Sequence, residues 1–154
     1  MKRINHQDYL NELGKKLNLD LKFDEEGLCE LVFNNNDVIS IKSSEDDQTI
    51  ILSTVVAEDL PENVSYAFVV DLIELALGPC ITNGGNSPVV GRDPATGLLV
   101  LYEVVTNSVL LEKDLFSIFE HFTQLKLGFI EYIKTNNVIE KQDDVPLSNL
   151  TYKI

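Results

Sequence analysis

Residues able to carry catalytic chemistry are few in this chain and lie far apart. The histidines are His6, at the start of a predicted helix, and His121, within another. The cysteines are Cys29, in a predicted strand, and Cys80, which follows Gly78-Pro79. Nucleophilic catalysis needs a base beside the nucleophile, and neither histidine has a sequence context that provides one. We therefore expect both cysteines to be structural, and no metal, cofactor or catalytic residue.

Acidic and glycine-rich segments are the remaining candidates for chemistry. Glu45-Asp46-Asp47 lacks the spacing of a calcium loop and fits a solvated turn. The loop Asn83-Gly84-Gly85-Asn86 lacks the GK[ST] end of a phosphate-binding loop. A hydrolytic carboxylate pair stays open as a hypothesis in a chain with 25 acids, and it would require a pocket with two acids of strongly perturbed pKa. Binding is favoured over catalysis.

Composition predicts a soluble, acidic, single-domain protein in a reducing cytoplasm. A chain of 154 residues and 17.3 kDa suits one core, which we place in residues 1–135 with a loosely ordered tail at 136–154. Its apolar runs are shorter than the roughly 18 residues of a membrane span, and MKRINHQDYL lacks an apolar signal segment. A net charge of −13 repels phosphate and anionic lipid, which argues against nucleic-acid and membrane partners.

The first elements predicted are a helix and a three-stranded antiparallel meander. Leucines at helical spacing after Asn5 predict a helix over about 6–18. The turns DEEG and NNND then flank strands in which hydrophobic residues alternate, and TIILSTVVA supplies a third, central strand. Alternation places five apolar side chains on a shared face of the first hairpin, and the two from its second strand are the cross-strand partners of the three from its first strand. This set is Cys29, Leu31, Phe33, Ile39 and Ile41.

The second half of the chain predicts a helix, a hairpin and a long helix. Pro61 and Gly78-Pro79 bound a helix over about 61–77. Asp93-Pro94 with Gly97 is typical of a tight turn, here within a hairpin over 88–105. Apolar residues at helical spacing predict the last helix over about 111–135. The order helix, three strands, helix, two strands, helix indicates an α+β fold with an antiparallel sheet.

The helix over 61–77 is more apolar than one core contact requires. Between Ala67 and Leu77 only Asp71 and Glu74 are polar, so we expect this helix to contact two apolar surfaces. A twofold homodimer is the most economical second contact, while burial within a monomer is the alternative. The predicted interface residues are Phe68, Val69, Leu72, Ile73 and Ala76.

The stretches LNELGKKLNLDLKFDEEGLCELVF and VVGRDPATGLLVLYEVV resemble the class I type III secretion chaperones, the Tir chaperone (CesT) family. The resemblance covers about residues 4–135. Residues that carry it are Leu10, Leu13, Gly14, Leu17, the turn at Glu26-Gly27, Asp93-Pro94 and Gly97. The tail and the NGGN loop depart from the family's pattern.

The resemblance implies a bacterial cytoplasmic homodimer that holds secreted effector proteins before export, without catalysis or ATP. The effector's N-terminal segment would wrap the dimer in extended form, fill apolar patches and add a strand to a sheet edge. The export ATPase or sorting platform is a further implied partner. An adaptor or regulatory domain of the same fold, binding a folded partner without a secretion role, is the alternative.

Carried onto this chain, the resemblance makes helix and strand residues candidates for the effector groove. These are Leu10, Leu13, Leu17, Leu31, Phe33, Ile39 and Ile41. Each is equally suited to be ordinary core, because a small domain needs most of its large side chains inside. Val32 and Val38, on the opposite strand face, are the better candidates for exposed contact. A shift of one residue in the register would exchange the two sets.

Overall fold

Helices and strands account for most of the part of the chain that the structure, a computed structural model, describes. That part is residues 4–33, 37–58, 65–72, 74 and 88–139. The elements are α1 (His6–Leu17), β1 (Leu28–Phe33), β2 (Asp37–Ser43), β3 (Thr49–Ala57), α2 (helical residues 66–72 and 74), β4 (Val89–Arg92), β5 (Leu99–Thr106), α3 (Asn107–Glu112) and α4 (Leu115–Ile139). The strands form one sheet of order β1-β2-β3-β5-β4. The predicted α+β class with an antiparallel sheet is confirmed.

Helix α1 begins and ends at residues suited to those positions. The Asn5 side chain accepts a hydrogen bond from the Gln7 backbone N–H at 3.0 Å, which satisfies one free donor of the first turn. Asn18 ends the helix in the left-handed region with φ 58°. Leu10 and Leu13 are fully buried, as a helix with one apolar side requires.

The register of the first hairpin agrees with the predicted pairing. β1 and β2 are antiparallel, with Cys29 opposite Ile41 and Leu31 opposite Ile39. The same register pairs Val32 with Val38 on the other face. Because one face carries the large apolar residues, a slip of one position would expose them all. The alternation of the sequence therefore fixes which face each side chain takes, and the length of the connecting turn fixes the rest of the register.

The third strand and the second hairpin also match their predictions. β3 spans the predicted Thr49–Ala57 and lies at the centre of the sheet. β4 and β5 flank the predicted turn, where the Gly97 N–H donates to the Asp93 carbonyl at 2.8 Å. Gly97 has φ 78°, a left-handed conformation that favours glycine.

The single helix predicted over 111–135 is wrong at its start. Helix α3 already begins at Asn107, directly after β5, and ends at Glu112. Lys113 is extended with φ −130°, and the Asp114 carboxylate then accepts from the Ser117 N–H at 2.8 Å to begin α4. The apolar periodicity runs across this break and conceals it. At its other end α4 continues to Ile139, four residues past the predicted 135.

The chain divides into two compact units. The first unit is Met1–Thr54 with Tyr102–Leu125, and the second is Val55–Leu101 with Lys126–Ile154. The predicted division into residues 1–135 and a tail stays a prediction.

The helix predicted over 61–77 is helical where it is described, while residues 61–64, 73 and 75–77, the NGGN loop and residues 140–154 lie outside the described residues. Among described helices, none has the length and apolar character needed to cross a membrane.

Candidate protein-binding surface

The outward side of the first hairpin exposes apolar side chains. Val32 is 67 % exposed, and its cross-strand partner Val38 is half-buried. Their position follows from alternation, since the neighbouring Leu31 and Ile39 point to the buried face. β1 is also an edge strand, so one side of its backbone faces away from the sheet. The hairpin thus offers an apolar pair beside a sheet edge.

Strand β5 contributes a second exposed apolar pair to the first unit. Tyr102 and Val104 are 37 % and 42 % exposed. They alternate with Leu101, Glu103 and Val105, which are buried. Large exposed apolar side chains on two strands of one unit are typical of surfaces that bind another chain.

Most of the other predicted groove residues lie in the chain's own core. Five are at most 4 % exposed, namely Leu10, Leu13, Leu31, Ile39 and Ile41. Leu17 and Phe33 are half-buried, and the Phe33 ring centroid lies 6.2 Å from that of Phe119. The alternative of ordinary core therefore describes the five buried positions, and contact of these seven residues with a partner stays a prediction.

The predicted dimer residues that are described lie partly inside the second unit. Phe68 and Leu72 on α2 are buried, and Val69 is half-buried, while Ile73 and Ala76 lie outside the described residues. The Phe68 ring stacks on Tyr132 of α4 with centroids 5.6 Å apart. Packing within the unit therefore occupies the Phe68 side of α2.

A buried polar cluster at the start of α1 was missed by sequence reasoning. His6 is 2 % exposed, and its ring nitrogens Nδ1 and Nε2 lie 2.7 Å from Ser43 Oγ and 2.8 Å from Asn107 Oδ1. Asn107 Nδ2 donates to the Asp47 carbonyl, which leaves Oδ1 to accept from His6 Nε2–H. In the neutral ring Nδ1 then accepts the Ser43 hydroxyl proton. His6 and Asn107 are 101 residues apart, so local periodicity gives no signal for this contact.

In this cluster a histidine contacts a serine on one side and an asparagine on the other, an arrangement that resembles the nucleophile, base and orienting group of nucleophilic catalysis. Its surroundings oppose that use. A pocket of about 430 Å³ adjoins the cluster, and carboxylates line it. They are Asp24, Glu25, Glu26, Glu45 and Asp47. Negative charges destabilise the oxyanion that acyl transfer would form. We interpret the cluster as a structural link between α1, the end of β2 and α3.

The acids with shifted pKa values do not form a catalytic pair at this pocket. Burial raises the pKa of Glu103 to about 7, and Glu103 does not line the pocket. The Ser44 hydroxyl lowers the pKa of the exposed Asp46, whose carboxylate accepts its hydrogen bond at 2.6 Å. Burial raises the pKa of the Cys29 thiol, which makes its reactive thiolate scarcer. A search of the described residues finds no group of three or more His, Cys, Asp or Glu placed to hold a metal ion.

Comparison with solved structures shows that this fold occurs in a chain of a chaperone–effector complex and in chains of other protein complexes. A chain of the HopA1–SchA chaperone–effector complex matches with a TM-score of 0.61 and 18 % identity, covering 84 % of this chain and 93 % of that one. A chain of the ExsC–ExsE complex gives 0.56 and 19 %, with coverages of 82 % and 89 %. A chain of the ExoT–SpcS complex from Pseudomonas aeruginosa matches with a TM-score of 0.55 and 16 % identity, covering 83 % of this chain and 96 % of that one. At these identities the likeness concerns the fold.

A family model provides the sequence-level match. The model described as the Tir chaperone protein (CesT) family matches residues 8–125. No curated protein sequence matches the chain. Because the family match spans most of the chain and the fold agrees with it, the chain belongs to the Tir chaperone protein (CesT) family, as the resemblance indicated.

Proposed function

We propose that this protein is a cytoplasmic bacterial chaperone for type III secreted effectors. It binds the non-globular N-terminal segment of the effector and keeps the effector competent for export. The family match over residues 8–125 carries the proposal. Fold likeness to chains from complexes described as chaperone–effector assemblies supports it. The mechanism is binding, without catalysis or ATP.

The client contact is proposed at the apolar side of the first hairpin. Val32 and Val38 form a paired apolar step on the outward face, and Val32 has most of its surface free. An extended client segment lying along β1 could hydrogen-bond to the free side of this edge strand and place alternate side chains against the valines. Leu31 and Ile39 support the valines from the core side of the same strands. Ordering a non-globular client has an entropic cost, so affinity requires a long contact.

Co-expression with secreted clients, followed by purification and protease mapping, tests this proposal. A protected N-terminal client segment would support it, whereas capture of a folded partner alone would favour the adaptor alternative. Val32→Asp places a charge in the proposed contact and should reduce client recovery at least tenfold. Gln124→Asp, which adds the same charge at an exposed position of α4, is the matched control and should retain the client. Equal recovery with both variants would exclude the Val32 surface.

A homodimer through α2 is part of the same proposal. Its support is the apolar sequence of the helix, in which Val69, Ile73 and Ala76 recur on a side distinct from Asp71. Ile73→Asp should give monomers or insoluble protein, because a charge in an apolar interface is costly. Sedimentation of the unmodified chain at 17.3 kDa at micromolar concentration would exclude the dimer.

Docking of the loaded chaperone on the export ATPase or sorting platform is a further proposal. The acidic surface supports it, since nine of the acids lie between residues 20 and 47. Such a surface attracts a basic component and repels nucleic acid. Weaker binding with rising salt, measured on the purified ATPase, would support this contact, and salt-independent binding would contradict a charge-driven one.

A further inference from the structure

Glu103 is a carboxylic acid on the buried side of a strand that is otherwise apolar there. It is 5 % exposed and shares the buried face of β5 with Leu99, Leu101 and Val105, each at most 3 % exposed. Its Oε2 atom is fully buried and has no hydrogen-bond partner among the residues that the structure describes. An ionised carboxylate in such a place loses its hydration free energy without compensation. The neutral acid is more weakly hydrated, so its burial costs much less free energy.

We propose that Glu103 is a proton-linked switch in the core, buried as the neutral acid while the sheet is fully packed and ionised when water gains access to β5. β5 is an interior strand of the sheet, between β3 and β4. Ionisation at this position therefore weakens the packing of an interior strand. The proposal concerns the fold itself and is independent of which client the chaperone binds.

The charged surroundings of Glu103 do little to stabilise an anion. Among described groups Lys113 is the one whose charge lowers the pKa of Glu103, and Lys113 is itself exposed. Burial outweighs it and raises the pKa from 4.5 to about 7. The neighbouring strand β3 buries four residues, none of which titrates: Ile50, Leu52, Thr54 and Val56.

Other titratable side chains of the first unit that are not exposed are few. They are His6, Tyr9, Cys29, Asp37, Asp47 and His121. His6 is already bonded to Ser43 and Asn107, and His121 lies half-buried on α4. All of these groups are present both in the parent protein and in a Glu103→Gln variant. A difference in pH dependence between the two proteins therefore reports on Glu103.

The pH dependence has a definite direction. Between the ordinary pKa of 4.5 and the folded-state pKa of about 7, the unfolded chain is ionised at this residue and the folded chain is protonated. The folded state thus binds one more proton, so stability falls as pH rises through this range. Below 4.5 the contribution is fully favourable, and above about 7 both states are ionised and the loss is complete.

Urea unfolding of the full chain and of Glu103→Gln, from pH 4.5 to 8.5, tests the proposal. The unfolding constant of the parent divided by that of the variant should rise by up to about tenfold per pH unit until near pH 7, and then level off. Glu30→Gln, at an exposed position of β1, is the control and should follow the parent at every pH. A ratio that does not change with pH would overturn the proposal.

Carbon-13 NMR of the Glu103 side-chain carboxyl in the parent protein provides a second reading that does not depend on folding of the variant. A titration midpoint near 7 supports the proposal, and a midpoint near the ordinary 4.5 overturns it. Glu103→Met, which removes the acid and retains apolar bulk, replaces the glutamine variant should the latter fail to fold. The unfolding constant of the parent divided by that of Glu103→Met should rise with pH in the same way as for Glu103→Gln.

Discussion

The His6 ring donates from Nε2 to Asn107 Oδ1 at 2.8 Å, which joins the first turn of α1 to the first residue of α3. The other ring nitrogen, Nδ1, lies 2.7 Å from the Ser43 hydroxyl oxygen at the end of β2. One buried imidazole therefore fixes three elements of the first unit. Buried polar groups that lose one partner are costly, so this cluster should contribute strongly to stability.

A double-mutant cycle measures the His6–Asn107 contact. His6→Phe and Asn107→Leu should each lower the free energy of unfolding by about 1–3 kcal/mol, since each leaves the other partner unsatisfied. The double variant should lose less than the sum, with a coupling of about 0.5–3 kcal/mol measured by urea unfolding. Pairing His6→Phe with Glu112→Gln, at an exposed position of α3, should instead be additive. An additive His6–Asn107 pair would contradict the proposed link.

Adjacent residues on β1 should differ greatly in their effect on stability. Leu31→Ala removes a side chain that is 4 % exposed and should cost about 2–5 kcal/mol. Val32→Ala removes one that is 67 % exposed and should change stability by about 0.5 kcal/mol or less. Thermal or urea unfolding measures both. Equal losses would mean that Val32 is covered in solution, by a second copy or by another segment of the chain.

Two glycines in helices should respond to alanine with opposite signs. A Cβ on Gly14 of α1 would lie 2.6 Å from the Leu19 carbonyl oxygen, so Gly14→Ala should destabilise the protein. A Cβ on Gly128 of α4 would meet nothing within 4 Å, so Gly128→Ala should stabilise by about 0.5–1 kcal/mol through helix propensity. Unfolding midpoints of the two variants test this. A stabilising Gly14→Ala would show that the turn after α1 relaxes freely.

The Cys29 thiol should be unreactive until the protein unfolds. Burial leaves it 7 % exposed and raises its pKa, so both access and the thiolate fraction are low at neutral pH. In a Cys80→Ser background, labelling by a disulfide reagent should be at least tenfold slower in buffer than in denaturing urea. Comparable rates in both would show that β1 opens readily.

Hydrophobic alternation predicted the first hairpin closely, and the reason is physical. Leu31 and Ile39 must both be buried, and with a period of two this requirement excludes any slip by one residue, while the length of the connecting turn selects among the pairings that remain. The exposed position of Val32 follows from the same parity. Alternation also implies the inward position of Glu103 between Leu101 and Val105, a signal that sequence reasoning did not use.

The helix prediction over 111–135 failed because periodicity records a continuous apolar side and not continuity of the backbone. Leu110 lies in the last turn of α3 and Leu115 begins α4, and both are buried. The intervening Lys113 takes an extended conformation, and the Asp114 side chain caps the N-terminus of α4 by accepting a hydrogen bond from the Ser117 N–H. A stronger weight on Asp114 with Ser117 as a helix start would have located the break.

By itself, the sequence determined the α+β class, the order of the elements as far as β5, the β1–β2 pairing and membership of a chaperone family. These depend on local periodicity, on turn residues and on patterns that lie close together in the chain. Tertiary structure alone decided that Leu10 and Leu13 are core residues, and that His6 meets Asn107. Burial and long-range hydrogen bonds depend on which elements pack together, and a helix or strand pattern does not encode its own partner.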